Sequence, residues 1–232
     1  KDPQNLWIDA SDPVAENNSI QLVREISPSE GDYLNVSETG TFTGLFAASL
    51  RENFARVPDQ DQRFALQSYL AASGNRINIE TLDIENLSEI QEPLRMTYLY
   101  KVRRPGFHEE GPAQVELPAS WEATFLPVIN RDEDRIEDVY LHMPLHLTAT
   151  TTLVFPQALK GITELSPKKT RMSNQMGSFN RSVSISSNRV TARYEASLTS
   201  GMFPPDAMMD LTRLSESGLE AAQFKLLIPG IE

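Results

Sequence analysis

His142 and His146 are the only close histidine pair in this 232-residue sequence, which has three histidines in all. Both fall on the polar face of a strand-like alternation, four residues apart. On a regular strand that spacing is about 13 Å, too far for one metal with bonds near 2.1 Å. No third ligand stands nearby, so the pair reads as strand histidines and no metal site is expected. His108, followed by Glu109 and Glu110, reads as part of a polar loop. A serine nucleophile needs a histidine within reach and an acid to orient it. None of the serines sits in a Gly-x-Ser-x-Gly elbow. The absence of cysteine removes thiol catalysis, disulfides and thiolate metal sites together. With 11 glycines and no Gly-rich run, there is no loop to cradle a phosphate. The expectation is a chain without catalytic residues, cofactor or metal.

Binding chemistry is nearly as sparse. Lys168-Lys169-Thr170-Arg171 is the one basic cluster, and it reads as a solvated loop. Trp121 and Tyr140 are the aromatics that could stack on a sugar ring if they lay exposed on a sheet, though a lone tryptophan is more often core. The formal charge of -11 makes nucleic acid a poor partner, since phosphate would be repelled over most of the surface. No apolar run approaches the roughly 20 residues that span a bilayer. The start, Lys1-Asp2-Pro3-Gln4-Asn5, lacks the apolar core of a signal peptide, so the chain reads as mature or trimmed.

The elements that must hold these residues are mostly strands. From Val139 to Phe155 the odd positions are apolar but for Thr151, and the even ones mostly polar. This is period-two alternation, broken at Pro144 because proline cannot donate to a sheet ladder. It predicts two strands or one bent strand, in an antiparallel sheet wetted on one side. Phe179 to Ile185 and Val190 to Leu198 alternate about Ser186-Ser187-Asn188, which predicts a hairpin. Leu94 to Val102 alternates cleanly. Ile77 and Ile79 fall on odd positions but Leu82 and Ile84 on even ones, which predicts a bulge. Further strands are expected at Ile20 to Val23, Gln114 to Leu117 and Phe224 to Ile228. A turn is expected at Glu38-Thr39-Gly40, with a strand from Phe42 to Phe54 pairing back. Two helices are predicted, near 62–72 and near 205–220, the second starting at Pro204-Pro205-Asp206. Arg103-Arg104-Pro105-Gly106 marks a subdomain boundary. The fold class is mainly β (α+β), with antiparallel sheets in a sandwich-like arrangement.

The opening Trp7-Ile8-Asp9-Ala10-Ser11-Asp12-Pro13 resembles the strand that ends a transglutaminase-like core. In that family Asp9 would match the acid of a Cys-His-Asp triad. The pieces Gln62 to Ala72, Ile77 to Leu87, Leu94 to Val102, Leu145 to Pro156 and Phe179 to Leu198 resemble the region downstream of such a core. They match the order in bacterial DUF3857/transglutaminase-like proteins. The resemblance implies residues 1–13 as the tail of a core, and the boundary at Arg103 to Gly106 divides the rest into 14–104, a β-rich subdomain with one helix, and 105–232, an antiparallel β subdomain with a C-terminal helix. No cysteine is present and no histidine precedes Asp9, so Asp9 is at most an orphaned triad acid. The implied function is a non-catalytic accessory module, with the upstream transglutaminase-like domain of the same polypeptide as partner, or other envelope proteins. A periplasmic or cell-surface location is implied with it. The alternative is a carbohydrate or envelope-polymer binding module using Trp121 and Tyr140.

Overall fold

The computed structural model describes residues 15–29, 33–71, 77–103, 113–117, 121–126, 137–156, 161–165, 167 and 169–228. The first segment runs β1 (Ser19–Pro28), β2 (Tyr33–Phe42), α1 (Gly44–Phe54), α2 (Asp59–Ala71), β3 (Asn78–Glu85) and β4 (Leu94–Arg103). The second begins with β5 (Ala113–Leu117), α3 (Trp121–Phe125), β6 (Val139–Leu141) and β7 (Leu145–Val154). It continues with β8 (Thr163–Glu164), β9 (Arg171–Asn174), β10 (Gly177–Ile185), β11 (Arg189–Leu198) and β12 (Gly201–Phe203). It closes with α4 (Ala207–Ala222) and β13 (Phe224–Ile228).

Eight strands form one sheet in the order β3-β4-β2-β1-β7-β11-β10-β9. Four neighbours come from each segment. Every pairing in this sheet is antiparallel except the central one, where Ser19 to Ile26 of β1 run parallel to His146 to Leu153 of β7. The mainly β class is therefore as predicted, with one parallel joint in an otherwise antiparallel sheet. Two smaller sheets accompany it, β5-β13-β8 and β12-β6. The subdomain boundary expected at Arg103 to Gly106 runs into residues outside the described ones.

Alternation sets the two faces. Leu94, Met96, Tyr98, Tyr100 and Val102 are buried on β4, and Leu147, Ala149, Thr151 and Leu153 on β7. The break at Pro144 separates β6 from β7 as expected. The register of β3 against β4 slips between Ile79 and Thr81, where the phase change predicts a bulge. On the inner face α2 packs on β3, α1 on β1, and α4 on β9, β10 and β11. The stripe Ala207, Leu211, Leu214, Gly218 and Ala221 of α4 is buried at helical spacing. At Gly218 a side chain would collide with Leu126 and crowd the Tyr194 hydroxyl, so glycine lets α4 approach the sheet closely.

Two predictions fail at one corner. Glu38-Thr39-Gly40 is not a turn: it lies within β2, paired to β1 and β4 on both sides. Phe42 to Phe54 is not a returning strand either, since Gly44–Phe54 is helical. The spacing misleads because Phe46, Leu50 and Phe54 fit both periods: four residues is two strand repeats and about one helical turn. Gly44 decides the matter with a φ of 54°, a left-handed conformation that breaks the strand. The Leu45 N–H then donates to Asn18 Oδ1 at 3.0 Å, which satisfies one of the free donors at the helix start.

The hairpin of β10 and β11 holds Tyr194 in the core, its ring stacked 6.4 Å from Phe179. Tyr194→Ala is expected to cost about 3 kcal/mol, as for other large buried aromatics. The Tyr194 hydroxyl is buried and makes no hydrogen bond among the described residues. Tyr194→Phe is therefore expected to be neutral or to gain about 1 kcal/mol, since an unpaired buried hydroxyl is a desolvation cost. Denaturant midpoints check both; coincidence of the alanine variant with the parent would remove Tyr194 from the core.

Candidate functional site

The polar residues sealed within the core form the densest cluster of chemical groups among the described residues. Arg24 stands on the inner face of β1, among Ile20, Leu22 and Ile26. Glu38 occupies the same face of β2, directly opposite in the ladder. Arg24 Nε donates to Glu38 Oε2 at 2.8 Å and Nη2 donates to Oε1 at 3.2 Å, a two-pronged ion pair. Arg24 Nη1 donates to Thr151 Oγ1 of β7 at 3.2 Å and to Glu122 Oε1 of α3 at 3.5 Å. The Tyr100 hydroxyl donates to Glu38 Oε2 at 3.1 Å. Beside it Trp121 Nε1 donates to the Tyr98 hydroxyl at 2.8 Å, with the Trp121 ring edge-on to Phe42.

Electrostatics fit a closed structural network. Burial works against the charge on Arg24, but Glu38 and Glu122 outweigh it and hold its pKa well above the usual arginine value. Burial, and then the Glu38 carboxylate, push the Tyr98 and Tyr100 hydroxyls well above the usual tyrosine range. Burial and Glu122 do the same to Tyr194. These hydroxyls stay protonated. Arg24, Glu38, Glu122 and Thr151 are all buried, so no substrate reaches them in this conformation.

A second internal ion pair links the main sheet to the small one. Arg181 Nη2 of β10 lies 2.9 Å from Glu164 Oε1 of β8, at an angle that makes no hydrogen bond. Burial lowers the Arg181 pKa and Glu164 opposes that shift.

The accessible surface of interest is the other face of the eight-stranded sheet. It carries hydroxyls on both sides of its central strands, with Thr39 and Thr97 within 3.2 Å on β2 and β4, and Ser178 and Ser197 within 2.9 Å on β10 and β11. Near one side, Glu25, Ser27, Asn35, Ser37, Glu80 and Lys101 line a shallow hollow of about 420 Å³. Lys101 Nζ and Glu80 Oε1 pair across it at 2.9 Å.

The residues singled out from sequence scatter. Trp121 is 1% exposed, on α3 rather than on a sheet face, so it offers no platform to a sugar. The packing around Phe42, Tyr69 and Tyr98 consumes its ring and its N–H. Tyr140 is 55% exposed on β6, beside Met202 of β12 and edge-on to His142 at 4.5 Å. His146 instead faces Glu195 of β11, with Nε2 3.1 Å from Oε1. Among the described residues no three His, Asp or Glu side chains gather into a metal-sized group. Asp9, Trp7, His108 and Lys168 lie outside the described residues. Arg171 of the basic cluster sits on β9, on the open face. Sequence reasoning passed over Arg24, Glu38, Glu122 and Thr151. The signal for the first two was a charge inside an apolar alternation, of opposite sign on successive strands.

Residues 115–228 match the family model of DUF3858. It is described as a domain of unknown function with solved structure. No curated protein and no solved structure matches the chain. The DUF3858 span supplies Trp121, Glu122, Thr151 and Tyr194, whereas Arg24, Glu38, Tyr98 and Tyr100 precede it. The buried network therefore ties the DUF3858 span to the strands before it, beneath the parallel joint of β1 and β7. No helix among the described residues is long and apolar enough to cross a membrane.

Proposed function

We propose that this chain is a non-catalytic accessory module of a larger transglutaminase-like envelope protein, periplasmic or at the cell surface. It packs beside the catalytic core and shapes the access of substrate or partner. One observation carries the reading: the best-equipped acid–base cluster, Arg24 with Glu38 and Glu122, is sealed in the core and knits two segments together. Such groups build a scaffold, and the open sheet face is left for contacts. The resemblance of Trp7 to Pro13 to the end of a transglutaminase-like core supplies the neighbour. The alternative, binding of carbohydrate or envelope polymer, keeps only Tyr140 of its two aromatics.

Asp9 tests the reading. In this chain Asp9→Asn is expected to change the denaturant midpoint by the equivalent of no more than about 0.5 kcal/mol, as for an ordinary surface substitution. In the full-length protein the same change is expected to abolish transamidase or hydrolase activity, because a catalytic imidazole loses its orienting acid. A full-length sequence with no cysteine and histidine ahead of Asp9, or an activity indifferent to Asp9→Asn, would overturn it.

A further inference from the structure

We propose that the open face of the eight-stranded sheet is a self-association surface, on which a second copy of this chain packs face to face. The inference stands apart from the envelope reading and rests on how charge is laid out over that face. Among the described side chains, the outward charges on the β3-β4-β2-β1 half are Glu25, Glu80, Asp83 and Glu85 against Arg95 and Lys101. On the β7-β11-β10-β9 half they are Arg171, Arg189 and Arg193 against Glu195. By these charges one half is acidic and the other basic, and together they balance, on a chain of formal charge -11. The net negative charge that sets two copies against each other is not carried by these residues.

The layout is self-complementary. Glu85, Arg95, Thr41, Gln21, Thr148, Glu195, Asn180 and Arg171 form one unbroken cross-strand row, with Glu85 at one end and Arg171 at the other. β1 and β7 are the fourth and fifth of the eight strands. A two-fold axis along the strands, midway between them, lays β3 of one copy over β9 of its partner. Glu85 then meets Arg171 twice, once at each end, as an isologous interface requires. Val23, 61% exposed on β1, comes to the centre against β7. Sheets pack about 10 Å apart in such an arrangement. Eight strands about 4.8 Å apart and four outward residues deep give roughly 1,000 Å² per copy. That is above the roughly 800 Å² per partner of a standard stable interface.

Sedimentation equilibrium of the purified chain tests this. At low salt a monomer–dimer equilibrium is expected at micromolar concentrations, shifting to monomer at about 1 M salt, where screening cuts the Debye length to about 3 Å. Arg171→Glu and Glu85→Arg are each expected to weaken the dimer about tenfold, by setting like charges against each other. The double swap, Arg171→Glu with Glu85→Arg, is expected to restore it. Both residues are on the exposed face, and thermal melts matching the parent verify the fold of all three variants. A chain that stays monomeric throughout overturns the proposal, and the face then belongs to another occupant, a separate domain or a hydroxylated polymer. A dimer that ignores salt and the single changes, or a double swap no better than either single, overturns it as well.

Discussion

Arg24→Ala is expected to destabilise the chain by about 3–5 kcal/mol, the usual cost of breaking a buried ion pair from one side. The loss is large because two carboxylates stay behind. Glu38 would lose both prongs of its arginine, and Glu122 would keep its place near Glu38 without the charge between them. A typical domain is stable by about 5–15 kcal/mol, so the change removes a large share of the total. Arg24→Lys should not rescue it. An ammonium cannot present the planar fork that reaches Glu38 and Thr151 together. Urea denaturation of the two variants checks this; midpoints within error of the parent would mean the network contributes nothing.

The second large effect is alkaline unfolding. Tyr98, Tyr100 and Tyr194 each have a pKa raised above the unfolded value, first by burial and then by a nearby carboxylate. For an acid the sign runs toward instability at high pH. Below the unfolded pKa, near 10, both states hold the proton and nothing changes. Above it the unfolded chain releases protons that the folded chain retains. Each such tyrosine then lowers stability by about 1.4 kcal/mol per pH unit, and the three together by about 4. Cooperative unfolding is expected above pH 11, with these tyrosinates appearing in the same transition, read at 295 nm against far-ultraviolet circular dichroism. Gradual ionisation of all six tyrosines near pH 10, with the fold intact, would place the three hydroxyls at the surface instead.

Much of this fold was legible because a half-buried strand writes its faces into a period of two. The hairpin of β10 and β11, the clean run of β4, the break at Pro144 and the slip at Ile79 all came from that rule. Both predicted helices formed, one at Asp59–Ala71 and one at Ala207–Ala222. The first corner was not legible, because Phe46, Leu50 and Phe54 satisfy both periods and only the conformation of Gly44 separates them. The parallel joint of β1 and β7 was hidden for another reason. Pairing partners far apart in sequence leave no local trace, and the register Ser19 with His146 is set by tertiary packing.

The buried network was half legible. Arg24 interrupts Ile20, Leu22 and Ile26, and Glu38 interrupts Leu34, Val36 and Phe42. A charge within an apolar stripe is costly unless paired, so opposite charges at such positions on successive strands predict each other. Reading Glu38 as part of a turn concealed the pattern. Glu122 gave no such signal, since the helix that carries it is five residues long. Trp121 lies in the core, where a lone tryptophan more often is, but its neighbours there, Tyr69 and Tyr98, are distant in sequence. Nothing in the spacing says whether an isolated tryptophan faces the core.

The buried acid–base cluster is, on this account, a latch between the DUF3858 span and the strands that precede it. The direct test is a double-mutant cycle across that seam, Arg24→Met with Glu122→Gln, read by urea denaturation. The two residues are 98 positions apart and 3.5 Å from contact atom to contact atom. A latch predicts that the double variant is less destabilised than the two single losses combined, by at least about 1 kcal/mol. Losses that add to within about 0.5 kcal/mol would contradict it, because residues that do not act on each other cannot hold two segments together.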